Sequence, residues 1–221
     1  SMVWSCPGTH DYYAQSGLNA AYYDIFTFPT SGEAGGLASN TEKYYAFDYG
    51  NIHIISLDSH DENRDRGSPM LTWLENDLAA TMQEWVVVIF HHPPYTKGSH
   101  DSDTEGKLVD MRENVLPILD NYGVDLVLSG HSHSYERSKR IQGHYGVSST
   151  YSAATHDVDG GDGRSDGDGT YQQNSSEEGA VYIVTGSAGK RSSMQGTHPV
   201  MYYSVSRLGS TILEVNGTQM D

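Results

Sequence analysis

Two short apolar stretches, the continuous run Trp85–Phe90 and Val124–Leu128 with Asp125 as its one polar residue, constrain the fold more than any other feature of the chain. Each is too short for a helix and lacks polar alternation, the pattern of a strand covered on both faces. Between them Leu108, Met111, Val115 and Leu119 recur at helical spacing, with Pro117 inside the pattern. Upstream, Met70, Leu71, Leu74, Leu78 and Met82 form a second helical stripe, opened by Ser68-Pro69. Helix, strand, helix, strand in this order predicts an α/β chain with parallel pairing. Ahead of it, Tyr44–Tyr49 and Ile52–Leu57 are split by Gly50-Asn51, which predicts a tight hairpin.

The remaining segments carry weaker signals. Val3–Ser5 reads as a short strand, Pro7 to Asp11 as a turn, and Leu18 to Ser39 as a loop with one helical turn near Leu18–Asp24. Ala180–Thr185, Met201–Val205 and Ser210–Val215 read as strands, with Leu208-Gly209 turning the last pair. Gly143 to Ser176 is dominated by Gly, Ser and Asp and reads as a solvated acidic loop. Its Asp157–Gly163 stretch resembles a calcium loop only loosely, because the glycine is misplaced and no Glu closes the set. No internal repeat appears, and 221 residues predict one domain, 1–221.

Charge narrows the partners. Thirteen Lys plus Arg against 29 Asp plus Glu leave −16, a field that repels polyphosphate backbones and anionic bilayers, so neither nucleic acid nor membrane is expected. The longest apolar run falls far short of the roughly 20 residues of a membrane span, and no charged-then-apolar leader opens the sequence. Cys6 is the single cysteine, expected as a small buried residue, and forms no internal disulfide. No Gly-x-Ser-x-Gly elbow supports a serine hydrolase. Asn174-Ser175-Ser176 and Asn216-Gly217-Thr218 are glycosylation sequons in a host that glycosylates.

The 11 histidines carry the chemistry. Four segments place His at strand exits or turns: Gly8-Thr9-His10-Asp11, His91-His92-Pro93-Pro94, Gly98-Ser99-His100-Asp101 and Gly130-His131-Ser132-His133. The second and fourth follow the two buried strands, and sites in open α/β sheets gather at strand carboxyl ends. His131 and His133, two apart in extended backbone, share one side. With His91 beside them, three neutral imidazoles and a water suit Zn²⁺ or a similar ion, and such a water ionises near neutrality.

These residues also carry a family resemblance. "GHSHSYER", with "VVVIFHHPPY" and "GTHD" before it and "GAVYIVTGSAGK", "THPVMYYS" and "LGSTILEVNG" after it, resembles the calcineurin-like metallophosphoesterases, and most of all their purple acid phosphatase branch. The resemblance implies an α/β double-sheet sandwich, here N-terminally truncated, holding Zn, Fe or Mn. It implies that His91 and His131 hold one metal and His133 the other. His10 would act on the leaving group or on phosphoryl charge, and His100 would contact phosphate.

Departures from the family pattern shape the expectation further. Thr9 stands where the family has a metal-binding Asn, and the blocks that supply the bridging carboxylate normally lie upstream of the block that begins here at Gly8. Two cations about 3.5–4 Å apart without that carboxylate repel strongly, so one metal per chain is expected rather than two. Asp58-Ser59-His60 has an Asp-x-His pattern, but the family has a non-ligating Leu-Asp-Ser there. Asp11 is expected to orient His10, and Tyr135, Glu136 and Arg137 to make structural pairs. An uncovered sheet edge predicts a homo-oligomer. Three functions stay open: hydrolysis of small phosphomonoesters at an incomplete or mononuclear site, a non-catalytic remnant that binds metal or a partner, and metal-dependent hydrolysis of carboxylic esters. Relatives of this branch are often exported, and the sequence itself assigns no compartment.

Overall fold

The computed structural model describes residues 3–172 and 179–221. The hairpin forms as expected, with strand β1 (Tyr45–Tyr49) antiparallel to β2 (Ile52–Ser56) and Gly50 in the left-handed conformation at φ 63°. Chain then crosses through α-helix Pro69–Ala80 to β3 (Trp85–Phe90), and through a second helical segment to β4 (Leu126–Ser129). β2, β3 and β4 are consecutive parallel neighbours. Right-handed crossovers put both helical segments on the same face. There Leu71, Leu74 and Leu78, then Met111, Val115 and Leu119, pack on Val86, Val88, Phe90 and Val127. Met82, expected at the end of the first stripe, lies beyond the helix and is 95 % exposed.

The second helical segment runs as Gly106–Asp110, a wider π turn over Met111–Val115, and Leu116–Asn121. In the π turn the Leu116 N–H reaches back to the Met111 carbonyl. Pro117 has no N–H and its ring crowds the carbonyl four residues earlier, so widening the preceding turn lets the apolar stripe continue past it.

Beyond β4 the sheet becomes mixed. β5 (Tyr135–Ile141) lies antiparallel to β7 (Ala180–Thr185), which is parallel to β4. The other edge of β5 is shared by β6 (Asp157–Asp159) and β8 (Met201–Val205). The result is an eight-stranded sheet in the order β1-β2-β3-β4-β7-β5-β6, with β8 on β5. Opposite the helices, Ile52, Val87, Leu126 and Ile183 are partly covered by Val215 and Met220 from a two-stranded hairpin, β9 (Val215–Asn216) and β10 (Gln219–Met220). This is an α/β architecture of the sandwich type that the sequence predicted, with an eight-stranded sheet and a second sheet of two strands.

Three local expectations need correction. Val3–Ser5 forms no strand: its Ser5 carbonyl accepts the Tyr45 and Tyr22 hydroxyls at 2.7 and 3.0 Å, and Trp4 stacks on Phe47 at 4.2 Å. Ser210–Val215 does not form the expected strand either: only Val215 is in one, because Gly217-Thr218 is a hairpin turn, with Gly217 at φ 58°, that folds the end of the chain back on Val215–Asn216. Leu208-Gly209 therefore joins no strand pair, and β8 pairs with β5 instead. Within the acidic loop, Asp157–Asp159 is an edge strand, with Lys139 Nζ donating to Asp157 at 2.9 Å. The sequon at Asn174 lies outside the described residues.

Candidate metal centre

The site forms where the carboxyl ends of β2, β3 and β4 meet. His91 and His92 follow β3 directly, and Gly130-His131 follows β4. The Gly130 N–H donates to the His91 carbonyl at 3.1 Å, which ties the two strand exits together. His131 sits at φ 58°, a left-handed conformation that costs a side-chain-bearing residue about 1–2 kcal/mol and clusters at functional sites. Gly8 comes so near that a Cβ there would lie 2.6 Å from His91 Nδ1, so only glycine allows the Gly8–Asp11 turn to pass.

Four imidazoles converge. His91 Nε2 lies 3.1 Å from His131 Nδ1, and the His91–His92 and His92–His131 ring centroids are 4.9 and 4.6 Å apart. His100 stacks on His131 at 3.7 Å. Two sets of ligand atoms each fall within 4.8 Å of one another: His91, His92 and His131, and His100, Glu105 and His131. The N···N distance of 3.1 Å is close to the edge, about 3.3 Å, of a tetrahedron with metal–nitrogen bonds near 2.05 Å, so His91 and His131 are spaced as two ligands of a Zn²⁺-sized cation, with His92 within 4.8 Å of both. Burial first and the His131 charge second lower His91 to about 3; burial and then His100 lower His131 to about 4. Burial and His91 push His92 lower still. All three are therefore neutral at pH 7, the state in which imidazole donates a lone pair to a metal.

Surrounding groups fix these rings. Glu105 accepts from His100 Nδ1 at 2.9 Å and lies 3.5 Å from His131 Nε2. Burial would raise this carboxyl, but the Asp101 N–H and the two imidazoles hold it below its ordinary value. Glu136, fully buried on β5, accepts from Ser134 Oγ at 2.8 Å and from the Thr96 hydroxyl, which anchors the loop that carries His100. Burial raises its carboxyl above the usual range. The structural role expected of Glu136 is the one observed.

Other residues singled out in the sequence stand apart. His133 belongs to neither set: its Nδ1 lies 3.2 Å from Ser192 Oγ, and its N–H donates to Ser99 Oγ at 2.9 Å. His10 is exposed and packs on Tyr13 at 4.5 Å, close enough to His91 for its charge to disfavour protonation there. Asp11 does not orient His10; its carboxylate accepts the Gly8 N–H at 2.7 Å and closes the turn. Thr9 Oγ1 lies 3.5 Å from His92 Nε2. Asp58 is spent on the backbone N–H groups of His60 and Asp61, both at 2.9 Å, and on the Tyr12 hydroxyl. The Cys6 thiol is pushed up to about 12 by burial and is no nucleophile at neutral pH. A 670 Å³ cavity lined by Pro117, Asp120, Gln142 and His156 opens at the amino-terminal ends of the parallel strands, away from the imidazoles.

His92, Glu105 and Ser59 were not assigned roles by sequence. Strict alternation sends neighbouring side chains to opposite faces, but β3 ends at Phe90, so His91 and His92 turn to the same cluster. Glu105 reaches His100 across a loop whose path has no sequence signature.

Known proteins of similar sequence and fold give the family. The calcineurin-like phosphoesterase family model matches residues 2–135. Purple acid phosphatase 18 of Arabidopsis thaliana is 36% identical over 107 residues, 47% of this chain and 23% of its own length. Purple acid phosphatase 23 of the same plant is 34% identical over 140 residues, 61% of this chain and 29% of its own. The chain thus spans about a quarter of the length of these curated relatives. The purple acid phosphatase PPD1 from yellow lupin (Lupinus luteus) seeds superposes with a TM-score of 0.53 at 17% identity, over 82% of this chain and 33% of that one, a likeness of fold. Imidazoles gathered at parallel strand ends, within a sheet of this order and under these matched motifs, place the chain in the calcineurin-like phosphoesterase family, on its purple acid phosphatase side.

Proposed function

We propose that this chain hydrolyses small phosphomonoesters with one metal ion, Zn, Fe or Mn, held by imidazoles at the β3 and β4 exits. The observation that carries the reading is the 3.1 Å approach of His91 Nε2 to His131 Nδ1, with both rings neutral and the buried His92 ring beside them. A cation bound there supplies the charge that activates water and polarises a phosphoryl oxygen.

The chain's own residues do the rest. His100, held by Glu105, presents a ring beside the cluster that can donate to a phosphoryl oxygen. Exposed His10, on the turn that passes His91, can give a proton to the departing alkoxide. Lys107 Nζ, 2.9 Å from His60 Nδ1, adds a positive charge near His92 that favours an anionic substrate in an acidic chain.

Hydrolysis of an aryl phosphate and an aryl acetate by protein loaded with Zn²⁺, Mn²⁺ or Fe tests this. Phosphate turnover that falls at least ~100-fold in His131→Ala supports it, since a lost metal ligand removes several kcal/mol of transition-state stabilisation. Absence of turnover identifies a non-catalytic binding protein, and faster acetate cleavage identifies a carboxylic-ester hydrolase.

A further inference from the structure

We propose that His92, and not His133, supplies the third imidazole of a single-cation site with His91 and His131, and that Ser59 fixes the His92 tautomer. This rests on the metal-dependent reading above and goes beyond it by naming the ligand set. Three observations carry it. The donor atoms of His91, His92 and His131 fall within 4.8 Å of one another, whereas His133 belongs to no such group among the described residues and its Nδ1 faces Ser192.

The second observation is the state of the His92 ring, which is 2% exposed. Its Nδ1 lies 2.9 Å from Ser59 Oγ, while Nε2 has one polar neighbour, Thr9 Oγ1, at 3.5 Å, the outer limit of hydrogen bonding. A buried ring nitrogen left with so long a contact, in a ring 4.9 and 4.6 Å from two other imidazoles, is placed to receive a cation. The third observation is the orienting group. Ser59 Oγ also accepts the His92 backbone N–H at 3.0 Å, so backbone and ring are clamped to one hydroxyl. With Nδ1–H donating to Oγ, the lone pair is on Nε2, the arrangement by which outer groups set the ligand tautomer in metal sites.

The proposal also explains Thr9. A neutral hydroxyl is a poor ligand, and where the His92 ring occupies the position, none is required of it.

Zn²⁺ titration calorimetry and Co²⁺ visible absorption on the full chain test the set without any activity measurement. We expect His92→Ala to weaken Zn²⁺ at least ~100-fold and to abolish the intense tetrahedral Co²⁺ bands, Ser59→Ala to weaken Zn²⁺ about 10–100-fold, and His133→Ala to stay within about threefold of the parent. In ¹⁵N-histidine-labelled parent protein, which needs no core substitution, Zn²⁺ should shift the His92 Nε2 resonance. A His92 Nε2 signal that Zn²⁺ leaves in place, or metal lost in His133→Ala and retained in His92→Ala, overturns the assignment while leaving a metal-dependent hydrolase intact. Zn²⁺ binding that follows His92 without phosphate turnover supports the ligand set and removes the enzymatic reading instead. Parent protein that binds no Zn²⁺ overturns both.

Discussion

At the scale of single residues, His53 shows how a polar side chain survives in the core. It lies on β2, facing the helices, 1% exposed, with its two ring nitrogens 2.7 Å from Asp48 and Asp77. Burial alone would depress it, but the two carboxylates win and raise it above its ordinary value. A raised folded value means that the native state holds the proton more tightly than the unfolded chain. The contribution is therefore full below the unfolded value of about 6.5 and is lost as pH climbs through the folded one. Metal-free urea midpoints of the parent should fall as pH rises above about 6.5. His53→Gln should lose about 1–3 kcal/mol at pH 6 and flatten that decline, since Asp77 keeps only part of its hydrogen bonding; parallel slopes in parent and variant would refute the linkage. His53 carried no signal in sequence, because inside a run of Ile its partners come from another strand and a helix. His91 and His131 were legible for the opposite reason: His91 directly follows one apolar strand and His131 follows another by two residues, and a strand end fixes where the next side chains go.

At the scale of elements, short-range chemistry was legible and long-range pairing was not. Ser68-Pro69 gave the helix start within a residue: Ser68 Oγ accepts the Leu71 N–H at 3.4 Å, and proline fills the first position, where no N–H is needed. Ser68→Ala should lower unfolding stability by about 1 kcal/mol and leave Zn²⁺ affinity unchanged, as judged by urea midpoint and calorimetry; a loss of affinity would tie this helix start to the metal centre. β5 escaped the sequence reading because Tyr135–Ile141 mixes charge with aromatics, and its inward side chains, Glu136, Ser138 and Arg140, are polar. These groups are satisfied by partners distant in the chain, Ser138 Oγ accepting the Tyr182 N–H at 2.8 Å among them. Periodicity registers hydrophobic burial, so a strand that buries hydrogen-bonded polar groups leaves no trace in it. The C-terminal strand failed in the reverse sense. Ser210–Val215 has suitable residues, but β6 and β8 share the edge of β5, and the chain end folds back into its own hairpin instead.

At the scale of the whole molecule, the two faces of the sheet differ. The helix face is sealed, with Val88, Phe90 and Val127 fully buried. On the other, Ile89, Leu128, Val181 and Tyr135 are only partly covered, and Leu208 and Ile212 nearby in the chain's last segment are 61% and 78% exposed. Tyr49 at the β1 edge is 74% exposed. Apolar surface of this kind favours association, whereas a net charge of −16 opposes it through repulsion between like copies. The repulsion is screened over about 8 Å at physiological salt and about 3 Å at 1 M, while burial of apolar area is not weakened by salt. We therefore expect a homo-oligomer whose sedimentation coefficient rises with salt at micromolar protein. Ile212→Lys, which adds a cation to the exposed segment, should shift that rise to higher protein concentration. A monomer at every salt concentration would show instead that the C-terminal hairpin is sufficient cover for the outer face.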